Sequence, residues 1–267
     1  MTARIKHFLP AVILILIVLG LIVWYMIRVP APSPFVATPE PATQVSEPMK
    51  IAEEAPYYTV DAIYPIQTTL ATSAGTQADQ AAVTTMKAFV DGEIAQFKKD
   101  GNFPTLTAED VEMLGLGERK YALGIEYKTY ESTATLSYVY QMYVDTGGAH
   151  PNTYYRTFTF DKKSGTELTL ADVFAPNALY LQTLSDKARA VLPGKIAGME
   201  SESVTEVDIE YIRSGTKPEA EAFQSFYFDG NRLVILFPPY QVGPYVLGMI
   251  TLPIATSDLT DLKPEYK

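Results

Sequence analysis

The chain contains no cysteine in 267 residues. That absence excludes disulfide frameworks, thiolate zinc sites, cysteine nucleophiles and a lipid anchor on an N-terminal cysteine. Histidine is nearly as scarce, with only His7 and His150, so imidazole chemistry has very few places to occur. Bases are outnumbered, 21 Lys and Arg against 31 Asp and Glu, for a net charge of −10 and a pI near 4.8. A surface of that sign lacks the basic footprint nucleic acid requires, and no nucleic-acid partner is expected. No Gly-rich phosphate loop follows a strand, no H-E-x-x-H or paired-histidine spacing occurs and no G-x-S-x-G elbow is present, so no cofactor, metal site or catalytic residue is assigned.

What is present begins with a long apolar run. Phe8 to Ile27 reads FLPAVILILIVLGLIVWYMI, twenty residues without a charge, long enough at 1.5 Å per residue to cross ~30 Å of hydrocarbon. Trp24 and Tyr25 stand at its outer end, where aromatic rings favour the headgroup zone. Arg4 and Lys6 precede the run and only Arg28 follows it, so the N-terminus is expected in the cytoplasm and the body outside the membrane. A cleaved signal peptide is the competing reading, but its apolar core would be ~7–15 residues and Ile27-Arg28-Val29-Pro30 makes a poor cleavage site. The sequence therefore divides into a cytoplasmic tail (1–7), a signal-anchor (8–28), a spacer (29–56) and an extracytoplasmic body. The spacer holds seven prolines between residues 30 and 56, a composition that keeps a chain semi-extended.

The fold class expected of the body is α+β, with antiparallel sheets and packed helices. Tyr57–Gln67 reads as a strand. Val83, Met86, Val90, Ile94 and Phe97 recur at helical spacing within 79–100. Thr107-Ala108-Glu109-Asp110 opens a short helix ending at Gly115. Alternating residues around Tyr121–Tyr127, Leu136–Met142 and Tyr154–Phe160 predict a meander of antiparallel strands. Helical spacing returns from Pro176 to Leu192 through Leu181, Leu184, Ala188 and Val191. A further helix is expected from a Ser203–Glu206 capping box to Gly215, burying Val204, Val207 and Tyr211. A hairpin (223–228 and 232–237) and a last strand near 249–254 close the chain. The body divides into an N-terminal α+β subdomain (57–175) and a C-terminal α+β subdomain (176–267).

His150 is the one imidazole beyond the anchor, within Gly147-Gly148-Ala149-His150-Pro151. Two glycines that permit positive φ and a closing proline make this a shaped loop, and a histidine without an identifiable partner is a weak catalytic candidate. Glu200, Glu202, Glu206, Asp208 and Glu210 lack the spacing of a calcium loop and read as a solvated helix face. The residues singled out for ligand contact are Gly147, Gly148, His150, Asn152, Tyr154, Tyr240 and Tyr245, because irregular polar and aromatic loops on a sheet scaffold are where binding concentrates.

Two segments carry a resemblance. Thr146–Phe174 (TGGAHPNTYYRTFTFDKKSGTELTLADVF) and Phe226–Ile254 (FYFDGNRLVILFPPYQVGPYVLGMITLPI) are similar to signatures of the extracytoplasmic domains of the PdaC/RsiV-type family. These signatures are a glycine-glycine-alanine-histidine loop, a D-x-x-[ST]-G turn, an L-x-D-[LV]-F motif, and a hairpin strand followed by a tyrosine–proline–tyrosine–glycine stretch. The resemblance covers about residues 57–254. It implies a secreted or membrane-tethered α+β module that in some relatives is the lysozyme-binding part of an anti-sigma factor and in others precedes a peptidoglycan deacetylase domain. A seven-residue tail is too short to hold a sigma factor, and no D-D motif of a deacetylase module is found within the 267 residues.

The expected function is therefore a non-enzymatic binding module, anchored through Phe8–Ile27, that recognises a cell-envelope component such as peptidoglycan or a basic exported protein resembling lysozyme. The second partner is suggested by charge. Removing Arg4, Lys6 and Arg28 leaves 18 bases against 31 acids beyond residue 28, a net −13, which attracts cationic proteins. The alternative is a peptidoglycan-acting hydrolase using His150 and a carboxylate.

Overall fold

The computed structural model describes residues 47–200 and 203–267. The expected tail, signal-anchor and most of the spacer lie outside these residues. No helix among the described residues is long and apolar enough to cross a membrane.

The first sheet has the order β1-β2-β3-β4-β5. Its strands are β1 (Met49–Glu54), β2 (Tyr58–Tyr64), β3 (Tyr121–Glu131), β4 (Thr135–Asp145) and β5 (Asn152–Asp161). The last three form the expected antiparallel meander. Two features depart from expectation. Met49–Glu54, at the end of the segment read as spacer, pairs antiparallel with β2 from Met49↔Tyr64 to Glu54↔Thr59. Its charges suit an edge strand: Lys50 pairs with Asp61 at 2.9 Å, Glu53 with Lys98 at 2.5 Å, and Glu54 with Lys120. In addition, β2 and β3 run parallel, with Tyr58 opposite Tyr121. A parallel pair requires a crossover, which α1 (Thr76–Gly101) and α2 (Ala108–Met113) supply.

Helix α1 lies on one face of this sheet. Met86, Val90, Ile94 and Phe97 pack against Leu123, Ile125, Tyr138, Tyr140 and Phe158. Its first turn is fixed by Asp79, a buried residue whose Oδ1 accepts hydrogen bonds from the backbone N–H and the hydroxyl of Thr68. Helix α2 opens on the expected capping box, between Thr107 and Asp110.

The second sheet is β6 (Phe226–Asp229), β7 (Arg232–Phe237) and β8 (Ile250–Ala255), antiparallel throughout. Its outer face receives α3 (Leu170–Val173), α4 (Tyr180–Glu200) and α5 (Glu206–Gly215). In α4 the buried stripe runs Leu184, Ala188, Leu192, Ile196 at spacing four. The stripe carries the helix through Pro193, where the sequence expected it to end, and leaves Val191 half exposed. In α5 the cap is Thr205 with Asp208 rather than Ser203 with Glu206. The buried face is that of Asp208 and Ile212, about 100° round the helix from the expected one, so Val207 is 64% exposed and Tyr211 only partly buried.

The two sheets face each other across a thin apolar layer of Val139, Tyr227, Val234 and Leu236, with Tyr130 and Tyr155 beside it. The layers are thus α1, first sheet, second sheet and α3–α5. This position explains why Thr135 to Tyr140 of β4 are all buried, since helix covers one face and sheet the other. The hydroxyls Ser137, Thr157 and Thr159 on the inner face meet the outer edge of β6. Thr157 Oγ1 accepts from Phe226 N at 3.2 Å, Thr159 donates to Phe226 O at 3.1 Å, and Ser137 accepts from Phe228 N at 3.4 Å.

Two outcomes follow from this packing. Thr157→Val keeps the shape but orphans the buried Phe226 N–H, at a cost of ~1–3 kcal/mol. Urea unfolding should show that loss, whereas Thr129→Val, at an exposed position near the end of β3, should stay within ~0.5 kcal/mol. A fragment beginning at residue 57 lacks β1 and exposes the β2 edge. Losing ~2 kcal/mol in a domain of this size lowers Tm by about 4–8 °C relative to a fragment beginning at 47, measurable by calorimetry.

Candidate functional site

The β4–β5 loop is built from its first residue. Asp145 Oδ1 accepts the Gly147 N–H at 2.9 Å, while Asp145 Oδ2 pairs with Arg119 at 2.5 Å. Arg119, helped by the Gly147 bond, holds the Asp145 carboxyl below the usual carboxylate range. Gly147 has φ +76°, a conformation that favours glycine. Gly148 is not in that region, so only one of the two glycines is required by the backbone.

The loop then presents His150, whose ring stacks on Tyr245 with centroids 4.0 Å apart and planes at 21°. His150 Nδ1 lies 2.9 Å from the Pro151 carbonyl, and the Tyr245 hydroxyl donates to that carbonyl at 2.6 Å. Residues 94 apart in sequence are thereby brought together by loops from the two sheets.

Tyr245 belongs to the β7–β8 connection. Tyr240, in the same segment, stands 5.5 Å from Tyr245 between ring centroids and is 54% exposed. Its φ of +71° is rare for a bulky residue. Such backbone persists only where its surroundings over-determine it, and here Gln241 does so. The Gln241 amide donates to Gly215 O at 2.9 Å and Ala222 O at 2.8 Å. A side chain at Gly215 would overlap the Gln241 carbonyl, with its Cβ 1.8 Å from that oxygen, so glycine ends α5 because this loop crosses it. Gln241 and Gly215 carried no signal in the sequence beyond the Gly at a helix end.

The remaining two selected residues go elsewhere. Side chains alternate along a strand, and on β5 Asn152 and Tyr154 face α1 whereas Tyr155 joins the layer between the sheets. Asn152 and Tyr154, with Thr146, line a cleft of about 420 Å³ against Glu93, Phe97 and Asp100 of α1. The Tyr154 hydroxyl donates to Glu93 Oε2 at 2.5 Å, and burial followed by that contact pushes its pKa up. The structure therefore splits the selected set. His150, Tyr240 and Tyr245 form an open aromatic platform on the side of the second sheet, and Asn152 and Tyr154 belong to the cleft on the side of α1.

Chemically, the platform offers stacking surfaces and backbone carbonyls. Among the described residues no carboxylate hydrogen-bonds or ion-pairs with His150. On the expected acidic helix face, Asp208 caps its own helix and Glu210 pairs with Arg213 at 2.9 Å. No group of three His, Asp or Glu side chains among the described residues converges as a metal site.

Comparison with known proteins places the chain. Residues 171–257 match the model of a family described as a protein of unknown function, DUF3298. The chain is 29% identical over 185 residues to the peptidoglycan-N-acetylmuramic acid deacetylase PdaC of Bacillus subtilis, an alignment spanning 68% of this chain and 36% of that protein. It thus spans about a third of the length of the curated relative it matches. Among solved structures, a DUF3298 family member from Bacteroides fragilis is similar with a TM-score of 0.54 and 20% identity, over 82% of this chain and 93% of that one. A DUF3298 protein from Pseudomonas aeruginosa aligns over 82% and 95%, with 14% identity and a TM-score of 0.49. The matched residues 171–257 run from α3 through β8 and include the platform's Tyr240 and Tyr245, so the C-terminal third of the chain is similar to the DUF3298 family and the chain as a whole resembles part of PdaC.

Proposed function

We propose that this chain is a non-enzymatic binding module of the cell envelope, held outside the membrane by Phe8–Ile27, that takes a peptidoglycan glycan on the platform of His150, Tyr240 and Tyr245. The carrying observation is that Tyr240 is half exposed beside a stacked His150–Tyr245 pair whose two loops are pinned by side-chain hydrogen bonds to backbone carbonyls. Rigid aromatic faces suit sugar rings because they offer large contact area with little rotamer entropy to lose. The name of the relative PdaC, a peptidoglycan deacetylase, is in keeping with a wall ligand.

A second reading is favoured by charge. At net −13 beyond residue 28, the body would attract a basic exported protein resembling lysozyme, with an on-rate that falls steeply with salt. The hydrolase reading needs His150 to meet a carboxylate, and its recorded partners are Tyr245 and its neighbour's carbonyl.

Co-sedimentation with purified peptidoglycan tests the first reading. Tyr240→Ala should weaken retention by ~1–2 kcal/mol, or about 5–30-fold, with little dependence on salt. Steep salt dependence together with a complex in lysozyme titrations would transfer the function to the basic partner, and failure with both ligands removes the binding reading. Release of soluble fragments that His150→Ala abolishes would establish the hydrolase instead.

Tyr245→Phe isolates the role of the loop clasp. It keeps the ring but loses the bond to Pro151 O, at ~1 kcal/mol, so affinity for peptidoglycan should fall about fivefold. Amide hydrogen exchange over residues 146–152 should quicken at the same time.

A further inference from the structure

We propose that the cleft between α1 and the ends of β3–β5 binds a small ligand bearing a primary ammonium group on a compact carbon frame. The inference does not rest on the platform, which lies on the other side of the first sheet. At about 420 Å³ the cleft falls within the ~300–1,000 Å³ of small-molecule sites. Phe97, Tyr121, Val144 and Tyr154 supply apolar wall, and Glu93 and Asp100 supply charge.

The two carboxylates are seven residues apart on α1, two turns along one face and about 10 Å apart along its axis. Their recorded partners are neutral. Tyr154 donates to Glu93, and the Gln96 amide donates to Asp100 Oδ1 at 2.6 Å. These bonds orient the carboxylates without cancelling their charge. The nearby cations are committed elsewhere or face another way: Lys98 pairs with Glu53, Arg119 pairs with Asp145, and Lys98 and Lys99 line a separate groove beside Tyr58 and Phe103. Among the described residues neither Glu93 nor Asp100 takes part in an ion pair.

A half-enclosed space with two uncompensated negative charges and three aromatic rings favours a cation, through charge-assisted hydrogen bonds and through the ring faces. An anion would meet repulsion, and a neutral amide would leave the carboxylates without a charged partner. The shared chemistry is the ammonium group. It could come from a de-N-acetylated amino sugar or from an alkyl ammonium such as a lysine side chain presents.

Isothermal titration of the full chain at low salt with glucosamine, N-acetylglucosamine and cadaverine distinguishes these. The expected result is that at least one amine binds at least about tenfold tighter than N-acetylglucosamine, a difference of ~1.4 kcal/mol. Binding of glucosamine alone identifies an amino sugar, binding of cadaverine alone identifies an alkyl amine, and either supports the site. Glu93→Gln combined with Asp100→Asn should reduce amine affinity at least about tenfold, while Tyr240→Ala leaves it unchanged. The proposal is overturned by equal affinity for glucosamine and N-acetylglucosamine without cadaverine binding, by no heat from either amine at roughly 10 mM, or by a folded double variant that binds as the parent does. The ligand comparison on the unmodified chain decides the matter if the double variant fails to fold. Loss of peptidoglycan binding in Tyr240→Ala with amine binding retained separates the fate of this site from that of the platform.

Discussion

The row of buried hydroxyls on the inner face of the first sheet is the constraint on which the other arrangements depend. The outer edge of β6 ends inside the protein, where unpaired backbone groups cost ~1–3 kcal/mol each. Thr157, Thr159 and Ser137 satisfy the N–H of Phe226, the carbonyl of Phe226 and the N–H of Phe228. A further bond, Gly230 N to Glu131 O at 2.8 Å, ties the β6–β7 turn to the end of β3. Apolar contact alone would permit the sheets to slide. Four directional bonds fix one register of one sheet on the other.

That register decides which loops meet. The β4–β5 loop belongs to the first sheet and the β7–β8 connection to the second, so His150 can stack on Tyr245 only while the sheets keep their offset. The clasp between the Tyr245 hydroxyl and the Pro151 carbonyl then closes a second link at the far end of β5. Within the same β7–β8 connection, Gln241 extends the chain of constraint to α5 through Gly215 and to the neighbouring 3-10 turn through Ala222. The exposed Tyr240 is therefore held by contacts reaching both the second sheet and its helices. This explains how a bulky residue keeps a left-handed backbone on the surface.

Much of the fold was legible because it rests on local periodicity. The stripe of Met86, Val90, Ile94 and Phe97 and the alternation in β3–β5 each announce an element and its buried face. The strand β1 was not legible, since MKIAEE carries three charges in six residues and follows a proline-rich stretch, and it earns its place only by pairing with β2. The parallel β2–β3 pair was hidden for a related reason, because its partners are separated by the whole α1–α2 crossover. The cap of α5 was read two residues early because Ser203 and Thr205 each precede an acidic residue by three positions and are nearly equal locally. Burial of Ile212 against the second sheet decides between them.

The candidate site shows the same division between local and distant information. The glycine–histidine loop and the tyrosine–proline–tyrosine stretch were each visible as irregular aromatic segments, and their meeting joins two signatures of the family resemblance. Asn152 and Tyr154 were grouped with His150 because they are adjacent in sequence, yet the pleat of β5 sends them to the opposite face. Their neighbours there, Glu93 and Asp100, sit on the polar side of a helix pattern that reads as ordinary solvated charge. Only packing against the ends of β3–β5 turns that helix face into the wall of a cleft. The segment from Thr146 to Tyr154 thus serves both surfaces at once, Thr146, Asn152 and Tyr154 facing α1 and His150 facing Tyr245.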